Sequence, residues 1–420
     1  MKVQGKEIEL LAPVGSYEGL TAVIKAGCDA VYFGIAQLNM RAASISNFGS
    51  LEDLPEVAKL CHQSGIKCYL TLNTVLYDHD LPLMRKIVDE VKAAHVDGII
   101  VSDMAALMYA REQGVDAHIS TQVSISNTES IKFFSQFTDR VVLARELNID
   151  MVKNISEEIT RQSIRGPKGD LMEIEAFIHG AMCVAVSGRC GMSLFTDNSS
   201  ANRGACKQNC RRTYTVTDDK GSELVLDNNY IMSPNDLCTI GMLDTIIDAG
   251  ISVLKIEGRG RAPEYADTVI RCYREALEAI DQGTYTQGKI DEWNKRLGTV
   301  YNRGFGTGFY MGRQMEEWSG AYGSKATEEK FYLGEVRHYY PKAQVAEIEI
   351  MANSLTQKET YLIIGPTTGV LRGTADTILV DDEEASTAEQ NTIITLKVSE
   401  RVRVNDKVYV VRNTVRSKDR

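Results

Sequence analysis

Residues 8–35 read IELLAPVGSYEGLTAVIKAGCDAVYFGI. Ile8–Ala12 and Ala30–Ile35 are short apolar runs with the composition of strands. Between them, Leu20, Val23 and Ile24 share one face of a helix. This strand–helix–strand unit recurs along the chain. Further candidate strands are Cys68–Leu72, Gly98–Ser102, Ala117–Thr121, Arg140–Ala144, Glu173–Ile178 and Ser252–Ile256. The intervening segments are amphipathic, as in Val57, Leu60 and Cys61, or Met84, Ile87, Val88 and Val91. Eight strands alternating with helices predict an α/β fold, a (β/α)8 TIM-like barrel, with a doubly wound open sheet as the alternative. The expected domains are a barrel over 1–285 with an insert at 180–250, a connecting Gly/aromatic segment over 286–330, and a small β-barrel over 331–420.

The insert follows strand seven. His179 to Ser252 is far longer than the other connections, and long inserts on a barrel rim are usually functional. Its pattern predicts a hairpin, Thr213–Thr217 with Glu223–Leu226, and a helix from about Asn235 to Ala249. A second helix is expected over Ala262–Gln282, with Pro263 in its first turn and Gly283 at its end. Asn302–Gly312, NRGFGTGFYMG, reads as a loop over the barrel mouth or against its neighbour; it lacks the P-loop pattern. From Phe331 onward, alternating runs such as Gln344–Ile350 and Thr392–Val398 point to an all-β domain.

In a barrel, chemistry sits at the C-terminal ends of the strands. Those ends carry Asn73, Asp103, Gln122, Arg145, Glu146, His179, Glu257 and Arg259. Burying such groups unpaired is costly, so packing alone does not explain them. Asp103 also suits a helix cap. His179 reads as a ligand, an acid–base group or a hydrogen-bonded strand-end residue. Glu175, four residues earlier on the same strand, is expected to share its face. The two do not form a helical HExxH pair, and the chain has no G-x-S-x-G elbow. Catalytic candidates are therefore His179, Glu175, Arg145, Glu257 and Arg259, with Arg145 or Arg259 suited to a carboxylate fork.

The insert also holds Cys183, Cys190, Cys206 and Cys210, spaced C-x6-C, fifteen residues, C-x3-C. Zinc favours two short knuckles, and only Cys206–Cys210 resembles one. An iron–sulfur cluster tolerates looser spacing. Iron–sulfur, zinc and buried structural thiols all remain open on spacing. Cys28, Cys61, Cys68 and Cys272 read as small core residues, and Cys238 as core packing at a helix start. The segment is locally basic: Arg189, Arg203, Lys207, Arg211 and Arg212 face a single acid, Asp197. Either these cations meet phosphates or they neutralise the thiolates.

The chain has 420 residues, 43% hydrophobic and 25% charged, with a net charge of −10. That composition suits a globular protein and argues against a generic polyanion binder. Met1 to Glu9 has no export-signal core, and no apolar run is long enough for a membrane span. Nine cysteines in that context are expected to be reduced, in the cytoplasm.

Four stretches carry a family resemblance: ELLAPVGSYEGLTAVIKAGCDAVYFG, EAFIHGAMCVAVSGRCGMS, NRGACKQNCRRTY and LKIEGRGR. Together with the NRGFGTGFY loop they resemble the collagenase-like peptidase family (the U series, family 32). The resemblance implies more than peptidase chemistry. Bacterial members are oxygen-independent hydroxylation factors with a [4Fe–4S] cluster on four cysteines. One branch forms 5-hydroxyuridine at the tRNA wobble position, with prephenate implicated as hydroxyl source; another hydroxylates a cytidine of 23S rRNA, and a paired branch the ubiquinone ring. The chain resembles the tRNA branch most, since it has the β domain that quinone-pathway members lack and is short for the rRNA member. By position, Cys183, Cys190, Cys206 and Cys210 would be the cluster ligands. The tRNA anticodon loop would be the partner, met by Arg203, Lys207, Arg211 and Arg212, with a paralogous subunit or an electron donor as further partners. A collagenase-like peptidase is the competing expectation.

Overall fold

The computed structural model describes residues 1–43, 48–217, 219–221, 223–224, 232–312, 318–319 and 323–414. Eight parallel strands form its centre: β1 (Glu9–Pro13), β2 (Ala30–Phe33), β3 (Lys67–Leu72), β4 (Gly98–Val101), β5 (Ala117–Ile119), β6 (Arg140–Val142), β7 (Glu173–Gly180) and β8 (Val253–Ile256). β8 pairs with both β1 and β7, which closes the ring and excludes the open sheet. The helices between strands pack outside. In α1 (Tyr17–Ala26), Ser16 caps the first turn by accepting the Gly19 N–H at 3.2 Å, and Gly27 ends the helix at φ 91°. Its buried face includes Leu20 and Val23, as the periodicity predicts.

A recurring aspartate ties the barrel floor. Asp29 precedes β2, accepts the Leu10 N–H at 2.9 Å and pairs with Arg274 at 2.8 Å. Asp97 precedes β4, accepts the Cys68 N–H at 2.9 Å and meets His62 at 2.9 Å. Each carboxylate thus joins two neighbouring strands and a side chain from a helix.

β7 carries a bulge. Glu175 faces Val253 and Phe177 faces Lys255, but His179, not Ile178, faces Ile256. One extra residue reverses the inside–outside alternation. Glu175 therefore points into the lumen, whereas His179 turns outward against Tyr265 and Tyr273 of the helix Pro263–Asp281. The expected shared face of Glu175 and His179 is corrected by this bulge.

β7 also runs past its neighbours, so its free edge takes another strand. Asp236–Cys238 pairs antiparallel with His179–Gly180 and parallel with Phe305–Gly306. This pairing replaces the first half of the helix expected over Asn235–Ala249; only Leu243–Asp248 is helical there. Cys238 accordingly sits on a strand, not at a helix start. The hairpin forms between Val216–Thr217 and Glu223–Leu224; residues 225–226 of that expectation lie outside the described residues. The stretch expected to connect the domains contains a helix, Gln287–Thr299, before the Asn302–Gly312 loop.

The C-terminal region is an eight-stranded antiparallel sheet from Gly369–Thr374 to Glu383–Ala385, with its own core of Leu333, Ile348, Ile363 and Val410 among others. It docks on the outer helices: Thr21 Oγ1 donates to the Pro366 carbonyl at 2.6 Å, and Lys330 pairs with Glu264 at 2.9 Å.

Candidate active site

The mouth holds a cavity of about 410 Å³, and all four insert cysteines line it. Cys183 and Cys206 are exposed, and Cys190 and Cys210 are half-buried. Burial pushes the Cys210 thiol up; Arg211 opposes this, and Cys183, Cys206 and Cys190 each add to it. The four sulfurs thus share one electrostatic neighbourhood. Main-chain N–H groups already point at two of them, Met192 to Cys190 and Gln208 to Cys206, each at 3.4 Å.

Clasps that use no thiol hold this lobe down. Arg203 grips Asp80 with two bonds, 2.6 and 3.1 Å, donates to the Val75 carbonyl and lies over the Tyr77 ring. Gly204, at φ 87°, lies so close to the Asn39 carbonyl that any Cβ would clash. Glu146 accepts the Ser187 N–H at 3.1 Å, and Arg211 donates to Ser233, Pro234 and Met182. The Arg203 hydrogen bonds hold the Asp80 carboxyl at about 2, against the opposing pull of burial. The stability from this depressed acid is fully present above its unfolded value of about 3.9 and is lost as pH falls through about 2. Arg203→Ala should therefore lower the unfolding temperature at neutral pH and flatten its decline between pH 4 and pH 2, read from thermal unfolding monitored against pH.

Four thiols around one cavity offer a donor set that either zinc or an iron–sulfur cluster can use. Among the described residues, the trio of potential ligands within 4.8 Å of one another is His62, Cys68 and Asp97, which is the barrel-floor clasp.

Cations dominate the rest of the wall. Arg259 is buried and donates to Thr71 Oγ1 at 2.7 Å and Asn39 Oδ1 at 3.2 Å, with no ion pair among the described residues. Burial pulls its guanidinium below the ordinary value. Arg145 stacks on Phe177 at 3.7 Å and donates to the Ala181 carbonyl. Glu257 is the carboxylate of the wall, paired with Arg41 at 3.2 Å. Burial pushes its carboxyl up, but Arg41, Arg145 and Arg259 together outweigh this and hold it below the ordinary value. Arg211, Arg261 and Arg303 also reach the cavity. Six arginines and one carboxylate on the described wall favour an anionic occupant.

The fold thus brings Arg145, Glu257, Arg259, Arg211 and the four cysteines to one cavity. It places the other candidates elsewhere. Glu175 lies beneath the cavity, bonded to Lys255 at 2.6 Å. His179 stands outside the barrel wall, its Nδ1 3.3 Å from the Tyr273 hydroxyl, and burial pulls its pKa down to about 3. Arg203 is committed to Asp80. Lys207 and Arg212 are exposed on the lobe and make no ion pair among the described residues. Asp103 caps the helix Met104–Gln113, as its position suggested. Sequence reasoning missed Arg41, Arg261, Arg303 and Lys255. Lys255 had a signal, as the one charge within the apolar run VLKI.

A family model described as peptidase family U32 matches residues 15–320. A collagenase from Porphyromonas gingivalis is 52% identical over 404 residues, covering 96% of this chain and 97% of that protein. The tRNA hydroxylation protein P1 of Bacillus subtilis is 32% identical, covering 91% of this chain and 89% of that one. The 23S rRNA 5-hydroxycytidine C2501 synthase of Escherichia coli is 37% identical over 67% of this chain and 41% of its own length.

Proposed function

The chain belongs to peptidase family U32, and from that membership we propose that it is an oxygen-independent RNA hydroxylase. Its substrate is the tRNA wobble uridine, its product 5-hydroxyuridine, and prephenate the hydroxyl source. The observation that carries this reading is the meeting of four cysteines and a surplus of guanidinium groups in one cavity. Cys183, Cys190, Cys206 and Cys210 would hold a [4Fe–4S] cluster, which supplies redox chemistry at the mouth.

The chain's own residues do the positioning. Arg259 and Arg145 offer forks to the carboxylates of prephenate. Glu257, kept ionised by three arginines, holds Arg41 in place and does not compete for a proton. The Tyr32 hydroxyl donates to the Ile256 carbonyl at 2.8 Å and fixes the cavity floor. An unpaired anticodon base can be splayed into a mouth of this size.

The peptidase reading rests on the family's description and on relatives named collagenase or protease. Among the described residues, the cavity wall carries no histidine, and its one carboxylate is already paired with Arg41. It therefore offers no histidine- or free carboxylate-based pair for hydrolysis. Deleting the gene should abolish 5-hydroxyuridine in the cell's tRNA, and blocking the aromatic pathway upstream of prephenate should do the same, as read by nucleoside mass spectrometry. Retained 5-hydroxyuridine, with loss of collagen cleavage, would favour the peptidase; loss of 5-hydroxycytidine from 23S rRNA would move the substrate to rRNA.

A further inference from the structure

Phe195 is 90% exposed, well beyond any other large apolar side chain among the described residues. Its ring is nonetheless seated. It lies over Gly191, where an added Cβ would come within 3.1 Å of Cε2 and 3.3 Å of Cδ2. Gly191 follows Cys190, and Met192 and Ser193 of the same short helix (Met192–Asp197) line the cavity. The ring therefore stands on the outer rim of the mouth, a few residues from the thiols. Val184, Val186 and Leu194 beside it in sequence are also exposed.

Charge complements this apolar rim. Arg189, Lys207 and Arg212 are exposed on the same lobe. Its acid, Asp197, is held by Thr196 at 2.6 Å and Asn209 at 3.1 Å. A cationic, aromatic rim on a protein of net charge −10 fits an occupant with both a flat π-face and a negative backbone.

Resting on the RNA reading above, we propose that Phe195 is a stacking platform for an unpaired nucleobase flanking the one that enters the cavity, with Lys207 and Arg212 meeting the adjoining phosphates. A stacked neighbour would hold the loop open beside the mouth. Stacking needs a ring rather than mere apolarity, which separates this proposal from the docking of another protein.

The test is binding of a fluorescent anticodon stem-loop to the intact protein across a salt series. Phe195→Ala and Phe195→Leu should each weaken binding about tenfold, while Phe195→Trp should match wild type. The salt slope should be unchanged in all three. Lys207→Ala with Arg212→Ala should instead lower that slope by about two. Equal binding by wild type and Phe195→Ala would overturn the platform alone, as would Leu matching Trp or a Phe195→Ala protein that changes oligomeric mass. Failure of wild type to bind any stem-loop would overturn the RNA reading with it.

Discussion

Cys206→Ala protein is expected to purify folded but stripped of most of its iron and sulfide, and to leave the wobble uridine unmodified. Cys206 is exposed on the cavity rim, and no core contact depends on its side chain. Its sulfur accepts the Gln208 N–H, a weak bond whose loss costs little fold stability. A cluster ligand is different. Losing even an outer-shell partner of a metal site costs about 10- to 100-fold, so loss of a ligand should exceed that range. Iron and sulfide assay, the visible absorbance of anaerobically purified protein and tRNA nucleoside analysis are the readouts. Full iron content with full hydroxylation would remove Cys206 from the ligand set. Cys272→Ala is the matched control: it lies in the core, away from the cavity.

The second large effect concerns stability. Lys255→Met should destabilise the barrel by about 3–5 kcal/mol, the range for breaking a buried ion pair by removing one partner. Lys255 and Glu175 are both buried and bonded at 2.6 Å. The second Glu175 oxygen has no hydrogen bond and lies 4.0 Å from Arg140, which is already held by Glu9 at 2.6 Å and Glu173 at 2.8 Å. With methionine at 255, the Glu175 carboxylate would stand in the lumen with that one distant partner. Adding Glu175→Leu removes the stranded charge and should restore most of the loss. Urea unfolding of the single and double variants measures both. A single variant as stable as wild type would mean that the lumen admits enough water to solvate Glu175.

Much of the barrel was legible because each strand is a short apolar run and each helix shows a 3.6-residue stripe. All eight strands fall where those runs lie. The convergence of the cysteines was partly legible, since three short intervals in one over-long connection place them on one rim. Other features left no local mark. The bulge at Ile178 is one residue without compositional signature, and it moved His179 from the lumen to the helix layer. Arg41 pairs with Glu257 from 216 residues away, a distance that periodicity cannot span. The segment Asn235–Ala249 carries helix-compatible residues, but the free edge of β7 offered Asp236–Cys238 a better use of their main-chain groups. Arg203 read as a free cation because its partner, Asp80, lies in a different connection.

The clasps on the cysteine lobe have a thermodynamic consequence. In small metal domains the chain is unfolded until the ion arrives, so binding energy is consumed in ordering the backbone. Here Arg203–Asp80, Ser187–Glu146 and the Arg211 contacts order the lobe without any sulfur. Most of its conformational entropy is lost when the barrel folds. Loading of a centre on the four cysteines would then be a local ligand exchange on a preformed surface.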